Sequence, residues 1–441
     1  MAHFGSNNES IRMEGKNELN GRIQIQGSKN AALPILAACM LIPGVCKLKN
    51  CPDITDIRYM CNLLESTGAQ VQITNTVIHT GIDIEVDTRT VQDYRLPGQY
   101  VSAMRSSVVL MGAMLGRIGE VSVNYPGGCV IGERPIDLHL HGLEKLGAQI
   151  WTENRHIHAY ADELKGAVID FPFPSVGATQ NVVMAAVTAK GTTIIKHAAR
   201  EPEVIELCKF LNQAGADIEL SEAYQTQGTL VIHGVELCRL HETTYEIIPD
   251  RIVAGTYLFA ALAAGGDITL EHVPIEQLDS VCDVLTSMGA QIAVNKQDRE
   301  IHLNAQKRDQ IVNLPYIETD VYPAFPTDLQ SPLIAAACVA KKRLVIKEKI
   351  FSSRYKIVEE LQRMGAKITV QKDTAIVEGG RELEGRAVIA KELRGGAALV
   401  IAGLCASGIT TIADSYFIKR GYQDIAGDLS RLGARISYVD R

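Results

Sequence analysis

Cys129 stands in the stretch YPGGCVIGERP, residues 125–135, behind Pro126, Gly127 and Gly128 and five residues ahead of Arg134. Cys39, Cys338 and Cys405 lie in apolar runs, where a free cysteine serves as a small buried hydrophobe. Cys129 does not. A thiol near cations ionises more readily and reacts faster with electrophiles. Cations also recur at places where apolar helices should begin: Lys29, Arg105, Arg251 and Arg394. Each opposes the positive end of a helix dipole, at a cost of roughly 0.3–1 kcal/mol. A solvated side chain explains any one of them, and Arg251 can pair with neighbouring Asp250. Four such openings together point to a site for an anionic ligand.

The elements that hold these residues form a repeat. A pattern Leu-x-x-x-Gly-Ala recurs at Gly68, Gly147, Gly215, Gly289, Gly365 and Gly433, roughly every 70 to 80 residues. Ahead of each Gly-Ala lies a β-branched segment that reads as a strand, at 43–50, 119–124, 190–197, 265–272, 341–348 and 407–414. Ahead of each strand lies an Ala-rich apolar helix, as in NAALPILAACML or LRGGAALVIAGLCA. The unit is therefore helix, strand, second helix capped by glycine, then further strands. Lys29, Arg105, Thr179, Asp250–Arg251, Asp328 and Arg394 occupy one equivalent position, about 36 to 42 residues before the glycine. Six units divide into two domains of three: residues 29–248, and residues 1–28 together with 249–441. The N-terminal strand, 10–27, is free to pair with either.

In the second unit alone the link from strand to second helix is longer, by about five residues, and the extra residues are the Pro-Gly-Gly-Cys stretch. It reads as a lid added to a regular scaffold. Arg354 and Arg420 follow their strands at matching distances, which suits residues facing the same site.

The net charge of −7 argues against a general nucleic-acid surface, so an anionic ligand has to meet a local cluster of cations. Ten cysteines without a C-x-x-C pair or a secretory leader fit reduced thiols in a cytoplasm, with no disulfide and no structural zinc. No apolar run is long enough to span a bilayer. Residues 1–6 read as a disordered leader.

GSKNAALP (27–34), MRSS (104–107), PGGCVIGERPIDLH (126–139), SVGAT (175–179), AAREPE (198–203), PDRI (249–252), AFPTDLQ (324–330), LRGGAALV (393–400) and KRGY (419–422) occur in that order. With them the chain resembles the UDP-N-acetylglucosamine 1-carboxyvinyltransferase family of enolpyruvyl transferases, in the EPSP synthase superfamily. The resemblance implies an α/β fold of two similar domains, each of three repeated α/β units in an inside-out α/β barrel, with the active site in the interdomain cleft. It implies transfer of the enolpyruvyl group of phosphoenolpyruvate to the 3-hydroxyl of UDP-N-acetylglucosamine, with release of phosphate, the first committed step of peptidoglycan synthesis. It also implies a cytoplasmic enzyme, a monomer, with these two small-molecule substrates, no cofactor, no metal and no nucleic-acid or membrane partner. Roles in cell shape and division, and inhibition by fosfomycin, come with the same family.

Residue by residue, the resemblance assigns phosphoenolpyruvate to Lys29, Asn30, Arg134, Arg394 and Arg420. It assigns the nucleotide sugar to Arg105, Arg134, Pro135, Ile136, Asp137, Leu138, Phe173, Pro174, Ser175, Val176, Asp328 and Ile350. Catalysis falls to Asp328, which takes the sugar hydroxyl proton, to Cys129, which protonates the methylene carbon or forms an adduct, and to Lys29. One departure stands out: Phe351-Ser352-Ser353-Arg354 replaces the family's usual Phe-Glu-Asn-Arg, removing a carboxylate. That loss motivates an alternative, a non-catalytic UDP-sugar-binding paralogue. A second alternative, enolpyruvylshikimate-phosphate synthase, is disfavoured by the Lys29–Asn30 pair and the cysteine lid.

Overall fold

The structure is a computed structural model that describes residues 9–76, 80–125 and 135–440, apart from the side chains of residues 102 and 103. The expected lid residues Pro126, Gly127, Gly128, Cys129 and Arg134, and the expected leader, lie outside the described residues.

The first repeat shows how sequence becomes element. Ser28 caps the helix Lys29–Cys39, its Oγ accepting from the Ala31 amide at 3.3 Å, and the helix is buried almost all round. A helix apolar on every face belongs inside a core. Strand Val45–Cys51 and helix Thr55–Ser66 follow, then a hairpin of Gln70–Asn75 with Ile82–Asp87. Gly68 ends the second helix with φ 98°, and Gly147, Gly215, Gly289, Gly365 and Gly433 match it with φ between 97° and 107°. That left-handed conformation is strained for any residue with a Cβ.

Each repeat builds its own sheet. Strand Val45–Cys51 runs antiparallel to Ile82–Asp87, which runs antiparallel to Gln70–Asn75. On its other side it takes a parallel partner, Thr243–Glu246. The third repeat repeats this order around Thr192–Lys196, the fourth around Asp267–Glu271, the fifth around Arg343–Glu348 and the sixth around Ile409–Ala413. The second has three strands, and a single bridge from Arg95 to Ser122 stands in for its parallel partner. In the third, fifth and sixth repeats the parallel partner directly precedes the repeat's apolar helix, so strand, helix and strand form a crossover of ordinary kind.

The single strand expected over 10–27 is instead two, Glu9–Glu14 and Asn20–Gln24. A turn divides them, in which the Asn17 side-chain amide donates to the Glu14 carbonyl at 2.5 Å. The two strands serve different sheets: Glu9–Glu14 lies between Ile409–Ala413 and Arg435–Asp440, and Asn20–Gln24 pairs in parallel with Asp267–Glu271.

The chain divides into two compact units, one of residues up to Gln26 and from Pro249 onward, the other of described residues from Gly27 to Ile248. Each has its own hydrophobic core. In the first, helices Arg251–Ala264, Gln330–Val339 and Leu393–Cys405 pack on one another at the centre, and every residue of Arg251–Ala264 is buried. In the second, helices Leu110–Ile118 and Val176–Ala186 approach so closely that a Cβ on Gly112 would lie 2.0 Å from the Asn181 carbonyl oxygen. The Asn181 side chain bonds across that contact, accepting from Gly112 N at 2.6 Å and donating to Val108 O at 2.9 Å. Among the described residues, no helix is long and apolar enough to cross a membrane.

Candidate active site

In the unit containing the C-terminal half, two equivalent helix openings and one strand-to-helix link bring charged groups together. Asp328 lies in the turn Thr327–Leu329 that leads into helix Gln330–Val339. Arg394 is the second residue of helix Leu393–Cys405, and Arg354 opens the turn that follows strand Arg343–Glu348. Asp328 accepts from Arg394 Nη2 at 3.0 Å through one oxygen and from Arg354 Nη2 through the other. The arginine side chains are only 4% and 3% exposed, against 27% for Asp328.

Further groups hold the arginines. The Arg394 guanidinium lies 5.7 Å from the Tyr422 ring centre, with Nη1 3.5 Å from its hydroxyl, which in turn bonds Thr256 Oγ1 at 2.8 Å. Glu392 caps the helix, accepting from the amides of Arg394 and Gly395, so the dipole penalty of a cation at this end is offset by a carboxylate. Arg354 Nε donates to the Thr327 carbonyl at 3.3 Å, and its guanidinium lies 5.4 Å from the Phe351 ring centre. Burial alone would raise the Asp328 carboxyl, but the Arg394 and Arg354 charges outweigh it and hold it well below the usual carboxylate range. Two guanidiniums converging on one carboxylate form a donor set of the kind that also binds anionic groups. The same arrangement weakens Asp328 as a base until a guanidinium is drawn elsewhere.

The remaining residues from the sequence sort clearly. In the other unit Lys29 opens its helix, and its ammonium meets Asp56 at 2.6 Å, with side-chain exposures of 11% and 2%. Asn30 beside it is partly exposed. Arg105 begins the short turn Arg105–Val109, and its Nη2 reaches the Pro135 carbonyl at 3.4 Å, which brings two of the residues assigned to the nucleotide sugar into contact. Pro135 and Asp137 are exposed and Leu138 is half-buried, whereas the Ile136 side chain is in the core and can meet a ligand only through its main chain. Phe173 is 57% exposed, and Pro174, Ser175 and Val176 follow it into helix Val176–Ala186, where Ser175 is the cap. Thr179, at the position equivalent to Lys29, is buried, and its hydroxyl accepts from the Ala199 amide at 3.0 Å. In the first unit Ile350 is exposed in the loop before Arg354, and Arg420 is partly buried after helix Tyr416–Lys419. Arg251 lies 5.6 Å from the Tyr322 ring centre, and its neighbour Asp250 caps the helix.

Asp56, Tyr422 and Glu392 were not singled out in the sequence. Asp56 and Glu392 stand where acidic residues ordinarily cap or stabilise a helix, which hides any second use.

The sequence pattern of the EPSP synthase (3-phosphoshikimate 1-carboxyvinyltransferase) family matches residues 13–429. The chain is 41% identical over 428 residues to UDP-N-acetylglucosamine 1-carboxyvinyltransferase 2 of Caldanaerobacter subterraneus, covering 97% of this chain and 98% of that one. It is 40% identical over 431 residues to the UDP-N-acetylglucosamine 1-carboxyvinyltransferase of Geobacter metallireducens, covering 98% and 99%. The fold is similar to that of the enolpyruvyl transferase NikO from Streptomyces tendae, with a TM-score of 0.87 at 23% identity over 98% of this chain and 99% of that one. It is also similar to EPSP synthase from Acinetobacter baumannii, with a TM-score of 0.72 at 18% identity over 98% and 100%. The chain belongs to the EPSP synthase family and, within it, to the UDP-N-acetylglucosamine 1-carboxyvinyltransferases.

Proposed function

We infer that the protein is a transferase that moves the enolpyruvyl group of phosphoenolpyruvate to the 3-hydroxyl of UDP-N-acetylglucosamine, releasing phosphate, as the first committed step of peptidoglycan synthesis. The observation that carries this reading is the near-full-length identity of about 40% to enzymes of that name. The cluster of Asp328 with two buried guanidiniums supports it, because the reaction needs a proton acceptor beside stabilised negative charge.

The sugar oxygen attacks C2 of phosphoenolpyruvate while Asp328 takes its proton and Cys129 donates a proton to the methylene carbon, giving a tetrahedral phospho-ketal. The Cys129 thiolate takes a proton back from the new methyl group, the C–O bond to phosphate breaks with its electron pair leaving on phosphate, and the proton held by Asp328 departs with the phosphate as the enol ether forms. Lys29, Asn30, Arg134, Arg394 and Arg420 are assigned to the phosphate and carboxylate of phosphoenolpyruvate. Arg105, Pro135 to Leu138, Phe173 to Val176 and Ile350 are assigned to the nucleotide sugar.

The finer attributes are proposals of the same kind: a cytoplasmic monomer, needed for cell shape and division, and open to alkylation by the epoxide fosfomycin at Cys129. The deciding experiment is phosphate release with phosphoenolpyruvate and UDP-N-acetylglucosamine, run beside shikimate phosphate as acceptor and beside Cys129→Ser. Release with the nucleotide sugar alone is expected. Release only with shikimate phosphate, or tight nucleotide-sugar binding with no turnover at all, would overturn the reading. Fosfomycin should add one adduct mass to the Cys129 peptide when the nucleotide sugar is present.

A further inference from the structure

We propose that Glu348 is a positioning residue for the reaction, fixing the turn that carries Asp328 to the loop that leads to Arg354. The inference rests on the reading of Asp328 as proton acceptor. Glu348 ends strand Arg343–Glu348 and is 3% exposed. A carboxylate so buried is costly unless its oxygens are bonded. Its donors come from two directions. Thr327 Oγ1 lies 3.0 Å from both oxygens, while the Ile350 and Phe351 amides reach Oε1 at 2.9 and 3.1 Å.

Thr327 is the residue before Asp328, and its carbonyl accepts from Arg354 Nε at 3.3 Å. Arg354 Nη2 in turn binds Asp328. The bonds close a ring through Glu348, Thr327, Asp328 and Arg354, in which Glu348 bonds both the turn, at the Thr327 hydroxyl, and the loop start, at the Ile350 and Phe351 amides. The Asp328 turn cannot shift without breaking either the hydroxyl bond or the guanidinium bonds. The loop is also anchored ahead of Ser352 and Ser353, at the Ile350 and Phe351 amides, so its start does not rely on a carboxylate at 352.

Thr327→Val tests the link, because it removes the bridging hydroxyl at nearly constant volume and leaves the amide bonds to Glu348. A misplacement of about 1 Å at a reacting group costs on the order of 100-fold. The expected result is a fall in kcat of roughly 10- to 100-fold. The calorimetric Kd for UDP-N-acetylglucosamine should change less than about threefold, and Thr327→Ser should restore turnover. Glu348→Gln, which can still accept from the amides, should fall between Thr327→Val and the parent. A kcat for Thr327→Val within about twofold of the parent would overturn the inference, as would an equal loss of kcat and nucleotide-sugar affinity or a failure of Thr327→Ser to rescue. Asp328→Asn, run in parallel, separates the two claims. Normal turnover there overturns the reading of Asp328 itself, whereas a dead Asp328→Asn beside a normal Thr327→Val overturns only the role of Glu348.

Discussion

Asp328 and Arg394 are joined by a 3.0 Å bond between carboxylate and guanidinium, so the group assigned to take a proton is held in its ionised, weakly basic form. Asp328→Asn should lower turnover by roughly 100- to 10,000-fold while calorimetry still detects UDP-N-acetylglucosamine. The same substitution tests the electrostatics. The folded carboxyl is lowered from 3.8, so its stabilising contribution is present above pH 3.8 and is lost as pH falls toward the lower folded value. The stability gap between parent and Asp328→Asn should be largest above pH 3.8 and shrink in stronger acid, as read by urea melts.

Lys29 and Asp56 form a buried pair at 2.6 Å. Lys29→Met removes the counter-charge of Asp56 and should cost about 3–5 kcal/mol in urea unfolding. Adding Asp56→Asn should recover a large part of that stability without recovering turnover. Additive losses in the double variant would show that the two side chains do not depend on each other.

Asp428 is largely buried at the Tyr257 hydroxyl, with Arg431 on its other oxygen, and burial pushes its carboxyl up from 3.8 to about 6. A raised carboxyl stabilises the fold below its unfolded value, and that contribution is lost as pH rises through the folded value. The melting temperature of the parent should therefore fall relative to Asp428→Asn between pH 3.8 and about 6, with no trend between them above that window.

Gly112→Ala would set a methyl 2.0 Å from the Asn181 carbonyl oxygen, which is main chain and has little room to yield. The helices Leu110–Ile118 and Val176–Ala186 would have to separate, and a loss of about 1–3 kcal/mol is expected in chemical denaturation. Unchanged stability would mean that the helix pair slides without cost.

The repeat was legible because Gly68 and its five counterparts need a backbone conformation that glycine adopts cheaply, and sequence records such needs directly. The helix openings were legible for a similar reason, since Lys29, Arg251 and Arg394 break the usual pairing of charge with dipole. The partners were not. Asp56, Tyr422 and Glu348 reach Lys29, Arg394 and the Asp328 turn only through tertiary approach, and nothing in their neighbouring residues marks them. The N-terminal segment divides at Gly15-Lys16-Asn17, where Lys16 takes φ 59°; a glycine and an asparagine mark that turn, but the strand-like pattern on both sides of it reads as continuous. Cys129 and Arg134 were singled out from spacing and resemblance.

The strand Glu9–Glu14 lies between Ile409–Ala413 and Arg435–Asp440, and an ion pair from Glu14 to Arg435 spans 421 positions of sequence. During synthesis, then, Glu9–Glu14 emerges long before Ile409–Ala413 and Arg435–Asp440, the strands that flank it. The described residues from Gly27 to Ile248 hold all of their own sheet partners and can close as soon as Thr243–Glu246 has emerged to pair with Val45–Cys51. The other unit has to wait for Arg435–Asp440, and until then Glu9–Glu14 leaves an unpaired strand edge in the nascent chain.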